Sequence, residues 1–338
     1  MKLWLYSVAI ILSLFFCTAS AIDSNLNYPV REFVVDTDGD VDDIIALSYL
    51  LQRRDIKIRA ILIESNGAAH CKPAFTTIIG LLRLTHHLEV PVACGIKTPA
   101  YSRHQFTPKF RHLVDTFSYM LLHHSRMLFS HQTAKELLIK TLRASNKPVD
   151  LLVLGPMTSL ANALQQHPEI KNKIRKIYAM GGAIYVPGNI DEREKNNKVA
   201  EWNIYLDPYS AKIVFHSGIP IVLIPLDITN QVPMTKEFYM QLKHRHVTPV
   251  AKFVFQLFNQ RKQYMLTHHW YFWDPLAAVI AINNNIANCK ILPLTVKLIP
   301  ETQSGATVVN QQYGSPIQVC LKINEKKFQS VFLQGLNS

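Results

Sequence analysis

Short runs of Val, Ile and Leu alternate along this chain with longer stretches in which apolar residues return every three or four positions. The short runs read as strands and the longer stretches as helices. Strands are expected at 32–36, 57–64, 90–94, 149–154, 176–180 and 219–225. Helices are expected at 43–52, 73–86, 133–144, 159–166, 208–216 and 274–282. Strand, helix, strand in this order predicts an α/β fold, a mostly parallel central sheet flanked by helices. The segments 292–298, 306–309 and 317–323 read as a terminal β-meander. No linker rich in Gly, Ser or Pro and no internal repeat divides the chain, so residues 22–338 read as a single large domain.

The first 21 residues follow another pattern. Lys2 precedes an uncharged, mostly apolar run over 3–16, and Ala19-Ser20-Ala21 supplies small residues for cleavage. This predicts a secretory signal peptide over 1–21, hence a secreted or periplasmic protein. The run is short for a membrane span, which needs about 20 residues. No stable membrane insertion is expected after cleavage.

The strand ends expected on one side of the sheet gather polar residues. Asp36-Thr37-Asp38-Gly39-Asp40-Val41-Asp42-Asp43 sets five carboxylates on one strand-to-helix turn. Open α/β sheets place ligands at such strand ends. A solvated helix cap accounts for one or two acids. An EF-hand loop would need a bidentate Glu at its twelfth position, which is Leu47 here. Asp36-Thr37-Asp38-Gly39 also fits the opening of a haloacid-dehalogenase-type phosphatase with Asp36 as nucleophile, although that scheme leaves Asp42 and Asp43 without a role. A hard cation such as Ca²⁺, which takes about 6–8 oxygen ligands, would relieve the repulsion among packed carboxylates.

Charge and cysteine content narrow the choice. Net charge is +12, but the basic residues are scattered and not interleaved with aromatics, which speaks against a nucleic-acid groove. Cys71, Cys94, Cys289 and Cys320 fit no zinc spacing. Free buried thiols and two disulfides both stay open.

The pattern Asp-x-Asp-x-x-x-Asp-Asp over 36–43 resembles the signature of the nucleoside hydrolases. Four further blocks follow in that family's order. They are Gly155-Pro156-Met157-Thr158-Ser159-Leu160-Ala161, then Met180-Gly181-Gly182, then Gly188-Asn189 with Glu201-Trp202-Asn203 and Asp207-Pro208, and last Trp273-Asp274-Pro275-Leu276-Ala277. The resemblance covers residues 32–278. It implies hydrolysis of the N-glycosidic bond of a ribonucleoside, a homo-oligomer (dimer or tetramer), and Ca²⁺ held by Asp38, Asp43, Asp274 and the backbone carbonyl of Thr158. It further implies Asp38 as the base that takes a proton from the attacking water. Asp42, Asn66, Met180, Asn189, Glu201 and Asn203 would bind the substrate. A carboxylate and amides suit a diol, whose hydroxyls both donate and accept.

Trp273 stands where many members of the family carry a histidine that protonates the leaving base. Tryptophan there, Gly39-Asp40 in the acidic turn and a long segment 189–201 resemble the family's purine-specific branch. Trp273 is therefore expected to stack on a purine, as in purine salvage. Tyr101, His104 and Tyr185 are the candidates for a second stacking ring. A secreted nucleoside-binding protein without catalysis is the remaining alternative.

Overall fold

A computed structural model describes residues 30–117, 132–190, 196–267 and 270–338. The expected signal peptide lies outside these residues. The chain opens with β1 (Arg31–Thr37), α1 (Val41–Leu50), β2 (Ile56–Ile63), α2 (Cys71–Leu84) and β3 (Val92–Cys94). It continues through α3 (Pro108–Phe117), α4 (Ala134–Ala144), β4 (Val149–Val153), α5 (Thr158–Gln166) and β5 (Ile174–Met180). Next come α6 (Trp202–Leu206), α7 (Pro208–Phe215), β6 (Ile221–Ile224), α8 (Leu226–Thr229), α9 (Lys236–Arg245) and α10 (Pro249–Thr267). The last elements are α11 (Trp273–Ile282), β7 (Ala287–Val296), β8 (Thr307–Val309), β9 (Ser315–Ile323) and α12 (Glu325–Leu336).

Among the described residues the strands form one sheet in the order β3-β2-β1-β4-β5-β6-β9-β7-β8. Every pairing from β3 to β9 along that order is parallel. The β1 strand is central, and its run Phe33, Val34, Val35 is at most 1% exposed, as a strand covered on both faces requires. Its residues alternate between two cores. Phe33 and Val35 pack with Ile44, Leu276 and Phe332 on one face, and Val34 packs with Leu138, Leu160 and Val214 on the other. Strand order reverses between β2-β1 and β1-β4, so the carboxyl ends of β1 and β4 open a crevice at a topological switch point.

Two expectations change. The last three strands are not a meander, because β7 lies between β9 and β8 and pairs antiparallel with both. The β9 strand continues the parallel sheet beside β6 and buries Ile317 and Val319 in its core. The cysteines are paired, Cys71 with Cys94 and Cys289 with Cys320. Among the described residues no helix is long and apolar enough to cross a membrane.

Candidate active site

Backbone geometry sets the acidic turn. Gly39 has φ +78°, a conformation that favours glycine, and reverses the chain between β1 and α1. Asp40 caps α1 by accepting from Val41 N at 2.7 Å, and Asp43 returns the bond by accepting from Asp40 N at 3.2 Å. Asp43 also accepts from the Thr37 hydroxyl and from Asp38 N. Asp43 is therefore fixed in place before any ligand arrives.

Asp274 sits in the first turn of α11, which packs beside α1. Oxygens of Asp42, Asp43 and Asp274 all lie within 4.8 Å of one another. Burial, then repulsion from neighbouring aspartates of the acidic turn, pushes all three carboxyls well above the usual carboxylate range. Three crowded, buried, hard oxygen donors match the preference of a hard divalent cation. The residues present fit such an ion. Asp38 lines the same cavity and neighbours the trio through Asp43, which accepts from Asp38 N at 3.1 Å. The Asp38 Oδ2 accepts from Ala68 N at 3.0 Å, and burial raises its carboxyl.

Opposite the acids, Glu201 caps α6. Its carboxylate accepts from Asn203 N and Gly182 N, each at 2.9 Å, and from Ile204 N at 3.2 Å. Burial lifts Glu201 to about 7 despite those three donors. The Asn203 amide donates to the carbonyls of Leu154 at 2.8 Å and Met180 at 3.3 Å. Asn189 accepts from Trp202 N at 3.1 Å. Asp38, Asp42, Asp43, Met180, Asn189, Glu201, Asn203, Trp273 and Asp274, expected from sequence, all line one cavity of about 670 Å³.

Thr158 and Asn66 are placed elsewhere. The Thr158 hydroxyl donates to Asp207 at 2.7 Å and accepts from the Asn66 amide at 3.0 Å, a buried cluster not on the cavity wall. From the turn after β4, Leu154 reaches the wall instead. Asp36 is also off the wall. It is 3% exposed and buried beside Glu64, so a nucleophile at Asp36 has no substrate to attack. Burial and the neighbouring acid raise Asp36, and burial raises Glu64 to about 7.

The other end of the cavity is aromatic. Phe106 stacks on Trp202 with centroids 4.2 Å apart and on Phe110 at 4.7 Å. Trp273 meets Trp270 and Tyr271 edge-on, at 5.6 and 5.8 Å. All six rings line the cavity. None of the candidates for a second stacking ring does. Tyr101 packs on Tyr209, His104 stacks on Tyr205, and Tyr185 lies under Lys290. The rings of 106–110 were missed from sequence although Phe106, Phe110, Leu113, Val114 and Phe117 return at helical spacing. The signal available was that spacing, with Phe106 and Phe110 four residues apart.

The sequence model of the family described as inosine-uridine preferring nucleoside hydrolase matches residues 33–330. The pyrimidine-specific ribonucleoside hydrolase RihA of Salmonella typhimurium is 35% identical over 59% of this chain, a match spanning 61% of that relative's length. The protein of the same name from Escherichia coli is 32% identical over 71% of this chain and 74% of its own. The crystal structure of the inosine-uridine preferring nucleoside hydrolase from Bacillus anthracis superposes with a TM-score of 0.79 at 25% identity, covering 90% of this chain and 99% of that one.

Proposed function

The chain belongs to the inosine-uridine preferring nucleoside hydrolase family, and on that premise we propose that it hydrolyses the N-glycosidic bond of ribonucleosides to free base and ribose with Ca²⁺ at the acidic cluster. The observation that carries the reading is one cavity lined by both the acidic cluster and the aromatic rings. Asp42, Asp43 and Asp274 would hold the cation, with Asp38 beside them and a backbone carbonyl from the turn after β4 completing the set. Such an ion lowers the pKa of water and orients it.

Asp38 takes the proton of the water that attacks the anomeric carbon. Its anchor on Ala68 N keeps the carboxylate from swinging away. Glu201, Asn203 and Asn189 receive the sugar hydroxyls. Positive charge grows on the sugar as the bond breaks, and the carboxylate of Glu201 stabilises it. Trp273 covers one face of the departing base, with Trp202 and Phe106 as a second ring wall in the same cavity.

Purine ribonucleosides are the preferred substrates in this reading, because ring faces on both sides reward a larger base. Base–aromatic stacking is worth about 1–3 kcal/mol per base in single-strand nucleic acid binding. A second reading, pyrimidine preference, is favoured by the names of the two relatives above. Steady-state kcat/KM for inosine and uridine decides between them: inosine ahead supports the first and uridine ahead the second. Saturable binding without ribose release would leave a nucleoside-binding protein.

The proposal extends to export through residues 1–21 into a secreted or periplasmic compartment, which two disulfides suit. It extends also to a homo-oligomer, a dimer or tetramer. A mature N-terminus at Ile22 and a sedimentation mass above one chain are the expected results.

A further inference from the structure

Helix α10 carries a cation in its apolar stripe. Val250, Val254, Leu257, Phe258 and Met265 are buried along one side of that helix. Arg261 falls between them, four residues after Leu257 and four before Met265, so it shares their face. That face ends at the cavity, where Arg261, Tyr264 and Met265 all line the wall. Trp270 N donates to Met265 O at 3.4 Å, and the Trp270 ring lies 5.6 Å from that of Trp273.

Arg261 thus belongs to the end of the cavity where the base would sit. Among the described residues on the cavity wall it is the sole basic side chain, with no Lys or His beside it. Arginine does not titrate in the working range, so it offers directed N–H donors and fixed charge instead of a proton.

We propose that Arg261 is the specificity-determining residue of the base subsite. It donates hydrogen bonds to the carbonyl at purine C6 or pyrimidine C4, and so selects hypoxanthine, guanine and uracil over adenine and cytosine. This inference rests on the nucleoside hydrolase reading but is independent of whether purines or pyrimidines are preferred. The chemistry balances without a protein acid. Water bonds to the anomeric carbon and gives its proton to Asp38. The C–N bond breaks and its electron pair goes to the base. In an oxo base that charge spreads onto the ring carbonyl, where the guanidinium meets it, and the base takes its proton from solvent. An amino base presents N–H donors at the same place, donor against donor. Arginine pairs in the same way with the O6 and N7 acceptors of guanine in the major groove.

The test compares wild type, Arg261→Met and Arg261→Lys, each calcium-loaded and of full length. The substrates are inosine, adenosine, uridine, cytidine and p-nitrophenyl β-ribofuranoside, whose leaving group departs unaided. Wild type should favour inosine over adenosine and uridine over cytidine. Arg261→Met should lower both ratios, and the ratio of inosine to p-nitrophenyl riboside, by about 10- to 100-fold, the discrimination expected of one bidentate pair. Arg261→Lys should restore part of each ratio. Because ratios are read, a general loss from misfolding cancels. Ratios unchanged by Arg261→Met would overturn the proposal alone. Wild type that cleaves no substrate, the p-nitrophenyl riboside included, would overturn the hydrolase reading and the proposal with it.

Discussion

Five acids share the turn after β1, and their neighbours give them different work. Asp40 caps α1, Asp36 is buried beside Glu64, and Asp42 and Asp43 face Asp274. Asp38 lines the cavity wall, and its Oδ2 is held by a backbone donor from a separate loop, Ala68 N. Replacing it by Ala should lower kcat by about 10²–10⁴-fold, the usual worth of a positioned base, with KM changing far less. A kcat within threefold of wild type would remove Asp38 from that role. The chain passes close behind it at Gly67, where a Cβ would stand 2.2 Å from the Asp38 Cβ. That contact cannot exist, so Gly67→Ala must displace the loop or Asp38. Overpacking of this kind costs about 1–3 kcal/mol. The variant should melt earlier and lose kcat, and a Gly67→Ala protein with unaltered kcat would show that Asp38 tolerates displacement.

At the scale of elements, one loop connects the chemistry to the aromatic wall. Residues 64–70 hold Asp38 through Ala68 N and Ala69 N, the latter bonding to the Asp38 carbonyl at 3.0 Å. Helix α3 clasps this loop. Arg111 donates to the carbonyls of Ser65 and Ala69, both at 2.8 Å, and Asp115 accepts from His70 N at 2.8 Å. The same helix presents Phe110 and Val114 to the cavity. The Cys71–Cys94 disulfide closes the loop's far side, joining the start of α2 to the end of β3. Removing either disulfide should cost about 3 kcal/mol on the chain-entropy model, slightly more for Cys289–Cys320 with its longer separation. Activity should rank the other way. Cys71→Ser with Cys94→Ser should depress kcat at a temperature where both variants are folded, and the Cys289–Cys320 variant should not. Equal effects on kcat would deny the loop its positioning role. Much of this frame was legible in the chain: β1, β2 and β4 carry the apolar runs Phe33-Val34-Val35, Ala60-Ile61-Leu62-Ile63 and Leu151-Leu152-Val153, and α1, α5 and α11 start within two residues of expectation. Among the helices that escaped are α3 and α10, which carry Arg111 and Arg261. Both residues serve contacts made only after folding, and periodicity read along a sequence cannot anticipate them.

For the whole molecule, the acidic end of the cavity is a reserve of unfavourable charge built into the native state. Glu64 and Glu201 are raised to about 7, and Asp36, Asp42, Asp43 and Asp274 are raised as well, with burial the largest cause in each case. A raised carboxyl binds protons in the folded state that the unfolded chain has already released. Without a cation, the stability these groups contribute is therefore fully present below the unfolded value, near 4.5 for the glutamates, and is lost as pH rises through about 7. A divalent cation at Asp42, Asp43 and Asp274 must displace those protons to bind, so its affinity rises with pH. Two opposite slopes follow. The melting temperature of chelated protein should fall between pH 5 and pH 8, whereas the increment on adding saturating Ca²⁺ should grow over the same range, by mass action on the native state. Melting curves at four pH values, with chelator and with Ca²⁺, measure both. A Ca²⁺ increment that is flat with pH, or an equal one from Mg²⁺, would show that the stabilising ion does not bind through this carboxylate cluster. Asp274→Asn gives the converse check. It removes one repelling charge, so it should raise the melting temperature of chelated protein near pH 8 while abolishing most of the Ca²⁺ increment, a reversal that loss of a merely structural contact would not produce.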